Sequence, residues 1–195
     1  MKVMVIPEDF RKDQFILKPI ITAMIKAVGK SKARVFVCRD PLLRGVQQAM
    51  NWDLIRDIFD RYPEMDLFLL CVDRDGEATR RVALDHLEER ARNYWSEAVR
   101  FFAENAWQEV EAWLMAGHPI PPECAWKDIR SERNLKETYF AAFIHSCGIK
   151  TLDDAQLKEL GLQSARNYTR IRQRCPEDVA ILENRIKQWL KSNLQ

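Results

Sequence analysis

Hydrophobic positions along this chain form short unbroken runs that alternate with helical stripes. Residues 3–6 are a brief apolar run of strand type, ended by Pro7-Glu8-Asp9. Leu17, Ile20, Ile21, Met24, Ile25 and Val28 then recur at helical spacing before Gly29, and Pro19 either places the regular helix start near Lys18 or kinks it. Residues 33–38 read as a second strand, followed by Val46, Met50, Leu54, Ile55, Ile58 and Phe59 as the stripe of a second helix. The run 67–72 is wholly apolar, as expected of a central parallel strand buried on both faces. Val82, Ala83, Leu84, Leu87 and Ala91 mark a third helix and residues 98–103 a fourth strand. Asn105 reads as the N-cap of a fourth helix, with Trp107, Val110, Trp113 and Leu114 on one face. On that wheel Glu111 borders the buried face and Glu109 points away. Four strand–helix alternations predict an α/β fold with a four-stranded, mainly parallel sheet wound by right-handed crossovers.

The alternation ends near Gly117, and the proline-rich break at residues 118–122 is followed only by helical patterns. Residues 133–146 form one candidate helix; Thr151 with Asp154 resembles a capping pair for the next, which Gly161 closes as a C′ glycine. Residues 164–175 place Arg166, Arg170 and Arg174 on one face. A last helix after Pro176 carries Val179, Leu182, Ile186, Trp189 and Leu190. The expected organisation is an α/β domain over residues 1–117 and an all-helical C-terminal extension over residues 118–195.

Composition narrows the class. With 47% hydrophobic and 31% charged residues and only 6 glycines, the chain can bury a core and is not of the disordered type. A formal net charge of +2 excludes a strongly basic nucleic-acid coat. The balance is uneven, however: residues 1–124 hold 18 Lys/Arg against 20 Asp/Glu, and residues 125–195 hold 13 against 9. Cys38, Cys71, Cys124, Cys147 and Cys175 include no C-x-x-C pair, which fits a reducing compartment better than a disulfide framework. His86, His118 and His145 lack the spacing of a zinc site. No stretch approaches the roughly 20 apolar residues of a membrane span, and the first residues carry no long apolar core of a signal sequence. A cytoplasmic protein with no membrane partner is expected.

The candidate chemistry lies where the central strand stops. The segment 66–77 reads DLFLLCVDRDGE, with Asp73, Asp75 and Glu77 in quick succession. In an open α/β sheet the carboxyl ends of the strands face the ligand crevice. Asp73 and Asp75 share one side of an extended segment, an arrangement suited to a hard, oxygen-loving ion such as magnesium. An ordinary turn also accounts for these residues, since Asp-Gly is a common turn dipeptide. Glu8, Asp9, Glu104 and Glu111 likewise fall at or just after predicted strand ends, and a divalent cation is the simplest reason to assemble like charges there. Glu104 can instead serve the positive end of a helix. Lys12, Arg39 and Arg74 are candidate phosphate partners, and the Arg166, Arg170, Arg174 stripe is a candidate nucleic-acid contact.

An acid just after the first strand, here Glu8, and D-x-D at the end of the third, here Asp73-Arg74-Asp75, resemble the topoisomerase-primase (TOPRIM) domain over roughly residues 1–117. With the stretch QEVEAWLMAG, they are similar to a family of uncharacterised TOPRIM-like proteins related to the overcoming-lysogenization-defect (OLD) nucleases. The resemblance implies a TOPRIM-like sheet and magnesium- or manganese-dependent hydrolysis of phosphodiester bonds in DNA or RNA, in a defence or repair system. It implies Glu8, Asp73 and Asp75 as metal-site acids, with Glu111 a further candidate. Asp73 and Asp75 would hold metal, Glu8 would hold metal or act as general base, and Glu111 would complete the shell, with Glu77 as an additional ligand. The G-x-x-x-x-G-K-[ST] motif is absent, so nucleotide-driven control would need a partner ATPase chain. Two other readings use the same acids. A phosphoacceptor receiver domain would match Glu8-Asp9 and Asp73 but needs a hydroxyl after the fourth strand and a lysine after a fifth; a catalytically silent protein-interaction scaffold needs none of them.

Overall fold

Four parallel strands, β1 (Lys2–Pro7), β2 (Arg34–Val37), β3 (Leu67–Asp73) and β4 (Arg100–Ala106), pair in the order β2-β1-β3-β4. The computed structural model describes residues 1–94 and 100–192, so residues 98 and 99 of the expected fourth strand lie outside the described residues. β3 is buried along its whole length, as its unbroken apolar run requires. β1 obeys the pleat: Val3 and Val5 enter the apolar cluster on one face of the sheet, Met4 and Ile6 that on the other.

Helices α1 (Phe10–Ala27), α2 (Val46–Ala49), α3 (Trp52–Arg61), α4 (Arg80–Tyr94) and α5 (Glu111–Ala116) follow the strands. Beyond them come α6 (Trp126–Ser131), a π-helical turn at Lys136–Phe140 that runs into α7 (Ala141–Ser146), then α8 (Asp154–Arg166), α9 (Tyr168–Arg174) and α10 (Val179–Ser192). Leu157, Leu160, Ile171, Val179, Leu182 and Ile186 of the later helices join Val3, Val5, Leu67 and Leu69 of the sheet in one cluster. Burial of each such side chain contributes roughly 1.5–3 kcal/mol, so the helical region and the sheet depend on the same core. No helix among the described residues is long and apolar enough to cross a membrane.

Local chemistry moves several expected boundaries. The second helix divides at Asn51, whose side chain accepts from Asp53 N and Leu54 N at 2.9 and 3.3 Å and starts α3. Asn105 is a strand residue, because β4 runs on to Ala106 in register with Asp73. α8 is capped by Asp153, not by a Thr151–Asp154 pair: Asp153 accepts from Gln156 N at 2.7 Å and donates its own N–H to Gln156 Oε1 at 3.0 Å. The expected helix over 133–146 is one helical run whose first part, Lys136–Phe140, is π-helical, whereas that over 164–175 is divided at Asn167.

α1 starts at Phe10 with Asp9 as its cap, which leaves Pro19 in the helix interior. Proline has no N–H for the carbonyl four residues earlier, so Phe15 O loses its usual helical partner. That carbonyl is where α8 makes its closest approach: a Cβ on Gly161 would sit 1.9 Å from Phe15 O. Gly161 is therefore a contact residue in the middle of α8 and not its stop, and its Cα hydrogen faces the Phe15 carbonyl. We expect Gly161→Ala to force the two helices apart and destabilise the protein by about 1–3 kcal/mol. The melting temperature should fall by about 2–4 °C per kcal/mol for a chain of this size. An unchanged or raised melting temperature would show that the contact is not tight.

Candidate metal centre

The site grows from the pairing of β1 with β3. Pro7 lies in register with Cys71, so the residue after β1 reaches the end of β3, and Glu8 Oε2 accepts from Asp73 N at 3.3 Å. Asp73, the last residue of β3, is buried; its Oδ1 accepts from Val110 N at 2.8 Å and its Oδ2 from Lys136 Nζ at 3.2 Å. The chain then turns sharply. Asp75 takes φ +53°, a left-handed conformation, so Asp73 and Asp75 are brought together by a turn and not by the pleat of an extended segment. Gln108, at φ +74°, holds this turn through three bonds: its carbonyl accepts from Arg74 N at 2.7 Å and Asp75 N at 3.2 Å, and its Oε1 from Gly76 N at 2.9 Å.

Oxygens of Asp73, Asp75 and Glu109 lie within 4.8 Å of one another. Glu109 precedes α5, so the helical wheel that turns it outward does not apply to it; its Oε2 accepts from Lys136 N at 2.7 Å. Beside this triad a cleft of about 1050 Å³ is lined by Glu8, Asp13, Asp73, Glu111 and Lys136. Asp13, in the first turn of α1, is buried and accepts from Asp9 N at 3.1 Å. Glu111 is buried at the start of α5, and its Oε2, 3.4 Å from Lys136 Nζ but outside hydrogen-bond geometry, has no hydrogen-bond partner. The oxygens are all hard donors, and a buried carboxylate oxygen without a partner is a feature a cation would satisfy, so the residue set could hold a hard metal ion.

Other expected site residues lie elsewhere. Glu77 is exposed and accepts from Thr79 N and Oγ1 at 3.0 and 2.6 Å, which holds it at the start of α4 and away from the triad. Asp9 is bound to Arg11. Glu104 sits within β4, opposite Cys71, and pairs with Arg81 and Arg185 at 3.1 and 3.5 Å. Lys12 is at the cleft rim but paired with Asp154, and the Arg74 guanidinium lies over the Trp107 ring at 4.2 Å. Arg39 donates to Gln14 Oε1 at 2.9 Å. The arginine stripe does not exist as one face of one helix: Arg166 ends α8, while Arg170 and Arg174 belong to α9 and Arg174 is tied to the carbonyls of Ala116 and His118. A receiver arrangement is also missing, because Trp107 follows β4 and the described sheet has no fifth strand.

The crowding shows in proton affinities. Burial and the Asp73 charge push the Glu8 carboxyl up to about 7. Burial raises Asp13 to about 7 and Glu111 to about 8. It raises Asp73 too, against the opposing pull of Lys136. Burial works against the Lys136 ammonium, but Glu111, Asp73 and Glu109 outweigh it and hold its proton beyond the ordinary lysine range.

Carboxyls with raised folded-state affinity bind protons that the unfolded chain releases. Their contribution to stability is therefore lost as pH rises from the ordinary carboxylate range of about 4 through about 7–8. Lys136 stays charged throughout that window and offsets part of the loss. We expect Lys136→Met to cost on the order of 1–3 kcal/mol at pH 8 and less at pH 5; the upper figure for a buried pair is discounted because 39% of the Lys136 side chain meets solvent. Thermal melts at the two pH values measure this, and equal losses would contradict it. Comparison with known proteins returns no match: no family model, no curated protein and no solved structure resembles this chain closely enough to place it.

Proposed function

We propose that the protein is a magnesium- or manganese-dependent hydrolase of phosphodiester bonds in nucleic acid, built on a TOPRIM-like sheet. The observation that carries this is the convergence of Asp73, Asp75 and Glu109 at the carboxyl end of β3, with Glu8 bonded across from β1. An all-parallel four-stranded sheet with acids after its first and third strands is consistent with the TOPRIM-like layout. Buried like charges disfavour the folded state, Lys136 offsets them in part, and a bound cation would offset the remainder, which a silent scaffold leaves without a use.

Asp73, Asp75 and Glu109 are the residues that would hold the ion, with Glu111 beside them. A bound divalent cation would supply Lewis-acid polarisation of a phosphoryl oxygen and charge neutralisation. Glu8 suits the general base: its pKa of about 7 leaves it divided between the two protonation states at neutral pH, and beyond its bond with Asp73 N its carboxylate makes no hydrogen bond among the described residues. Lys136 positions and neutralises Asp73 and Glu111, and its ammonium can also face a phosphate oxygen. A polymer substrate is supported by a second groove of about 600 Å³ between α1 and α8, lined by Lys18, Lys26, Arg39, Lys158 and Arg166 without a carboxylate. Such a groove attracts a polyanion.

Glu8→Gln should lower manganese-dependent cleavage of DNA or RNA by about 10²–10⁴-fold, the usual contribution of a general base. Substrate binding, measured alongside, should be unchanged or slightly tighter because a negative charge leaves an anion-binding cleft. Cleavage that persists undiminished in this variant would remove Glu8 from the role. No cleavage of single- or double-stranded DNA or RNA by the wild type with either ion would move the assignment to the scaffold.

A further inference from the structure

The loop that supplies Glu109 also supplies Trp107, which lies at the edge of a separate groove of about 480 Å³ together with Trp126, Lys127 and Arg174. Both indoles are half-buried, and each has an arginine over its ring: Arg74 at 4.2 Å from the Trp107 centroid and Arg174 at 5.4 Å from that of Trp126. Neither arginine has a carboxylate partner among the described residues; Arg174 donates only to main-chain carbonyls, at 3.2 Å to Ala116 and 2.8 Å to His118. Lys127 is exposed and also unpaired among them. The groove's one surface carboxylate, Glu177, is bound to Arg130 at 3.0 Å.

We infer that this groove binds the unpaired bases of a single-stranded nucleic acid, with Trp107 and Trp126, each backed by its arginine, as stacking platforms and Lys127 facing the phosphates. The inference rests on the phosphodiesterase reading and names its substrate class. Aromatic rings beside cations that lack carboxylate partners are the chemistry of sequence-tolerant strand binding, whereas the bases of a duplex are stacked on one another and closed to an indole. Position supports the same ligand. One residue, Gln108, separates Trp107 from Glu109, so their Cα atoms are at most about 7 Å apart, which at about 3.4 Å per stacked nucleotide is some two nucleotide steps. A strand stacked on Trp107 would therefore have only a few nucleotides to span to the Asp73, Asp75 and Glu109 carboxylates. The Trp107 backbone is well held for this task, since its N–H donates to buried Asp178 Oδ2 at 2.7 Å.

The test is fluorescence anisotropy of the full chain in EDTA with a labelled strand of about 16 nucleotides, long enough for one such site, and with the matching duplex. The strand is expected to bind more tightly than the duplex. Trp107→Leu and Trp126→Leu should each weaken strand binding by about 5- to 100-fold, the range that base–aromatic stacking carries. Trp107→Phe should retain most of the affinity. Lys127→Gln, on the exposed rim where folding is not at stake, should reduce the slope of log affinity against log salt by about 0.7. Equal or tighter duplex binding, no strand binding, or variants that are folded by circular dichroism yet bind like the wild type would overturn the inference. Tight strand binding with no cleavage in manganese would defeat the hydrolase reading while leaving the stacking groove in place.

Discussion

Concentrated negative charge at the carboxyl end of β3 is the constraint on which the rest of this structure depends. Parallel pairing places the ends of β1 and β3 side by side, and the following turns add to the acids already there. Glu8, Asp13, Asp73, Glu109 and Glu111 gather within a region where burial disfavours their ionised forms, and Asp75 adjoins them at its half-exposed edge. Lys136 is the cation that reaches Asp73, Glu109 and Glu111, at 3.2, 3.9 and 3.4 Å. It comes from the helical region after Gly117, so that region contributes electrostatically to the site as well as packing on the sheet. The π-helical turn starts at Lys136 itself, and turns of this kind recur at functional positions.

A second layer holds the acid-bearing loops. Asp178 is almost fully buried and accepts from Trp107 N, Trp113 Nε1 and Arg130, so the segment between β4 and α5 is fastened to the start of α10. Gln108 ties the same segment to the turn after β3, while both Gln108 and Asp75 adopt left-handed backbone angles. Such conformations cost of order 1–3 kcal/mol each in non-glycine residues and persist where surrounding bonds over-determine them. Here those bonds are the three from Gln108, and what they hold in place is Asp75 against Asp73 and Glu109.

Much of the sheet was legible in the sequence because burial on both faces leaves a distinctive mark. The apolar run of β3 and the alternating insertion of β1 are both direct products of the pleat. Glu8, Asp73 and Asp75 stood out because acids that follow strand-like runs fall at the crevice. Glu109, Asp13 and Lys136 did not, each for a different reason. The wheel that turned Glu109 outward assumed a helix from Asn105, but β4 holds that stretch extended to Ala106 and α5 begins only at Glu111. Asp13 drew no reading because the regular helix was expected from near Lys18, whereas α1 starts at Phe10 and buries Asp13 in its first turn. Lys136 is separated from Asp73 by 63 residues, and only the fold of the later helices brings it back. Gly161 shows the same limit: a glycine that ends a helix and one that permits close packing look alike until the facing carbonyl is known.

The most direct measurement is anomalous scattering from a crystal of the protein soaked in manganese. The expected result is a peak bounded by the carboxylates of Asp73, Asp75 and Glu109, absent from crystals of an Asp73→Asn variant treated in the same way. Ordered crystals with no peak between those side chains, and with Lys136 still bound to Asp73 and Glu111, would contradict a metal centre at the end of β3.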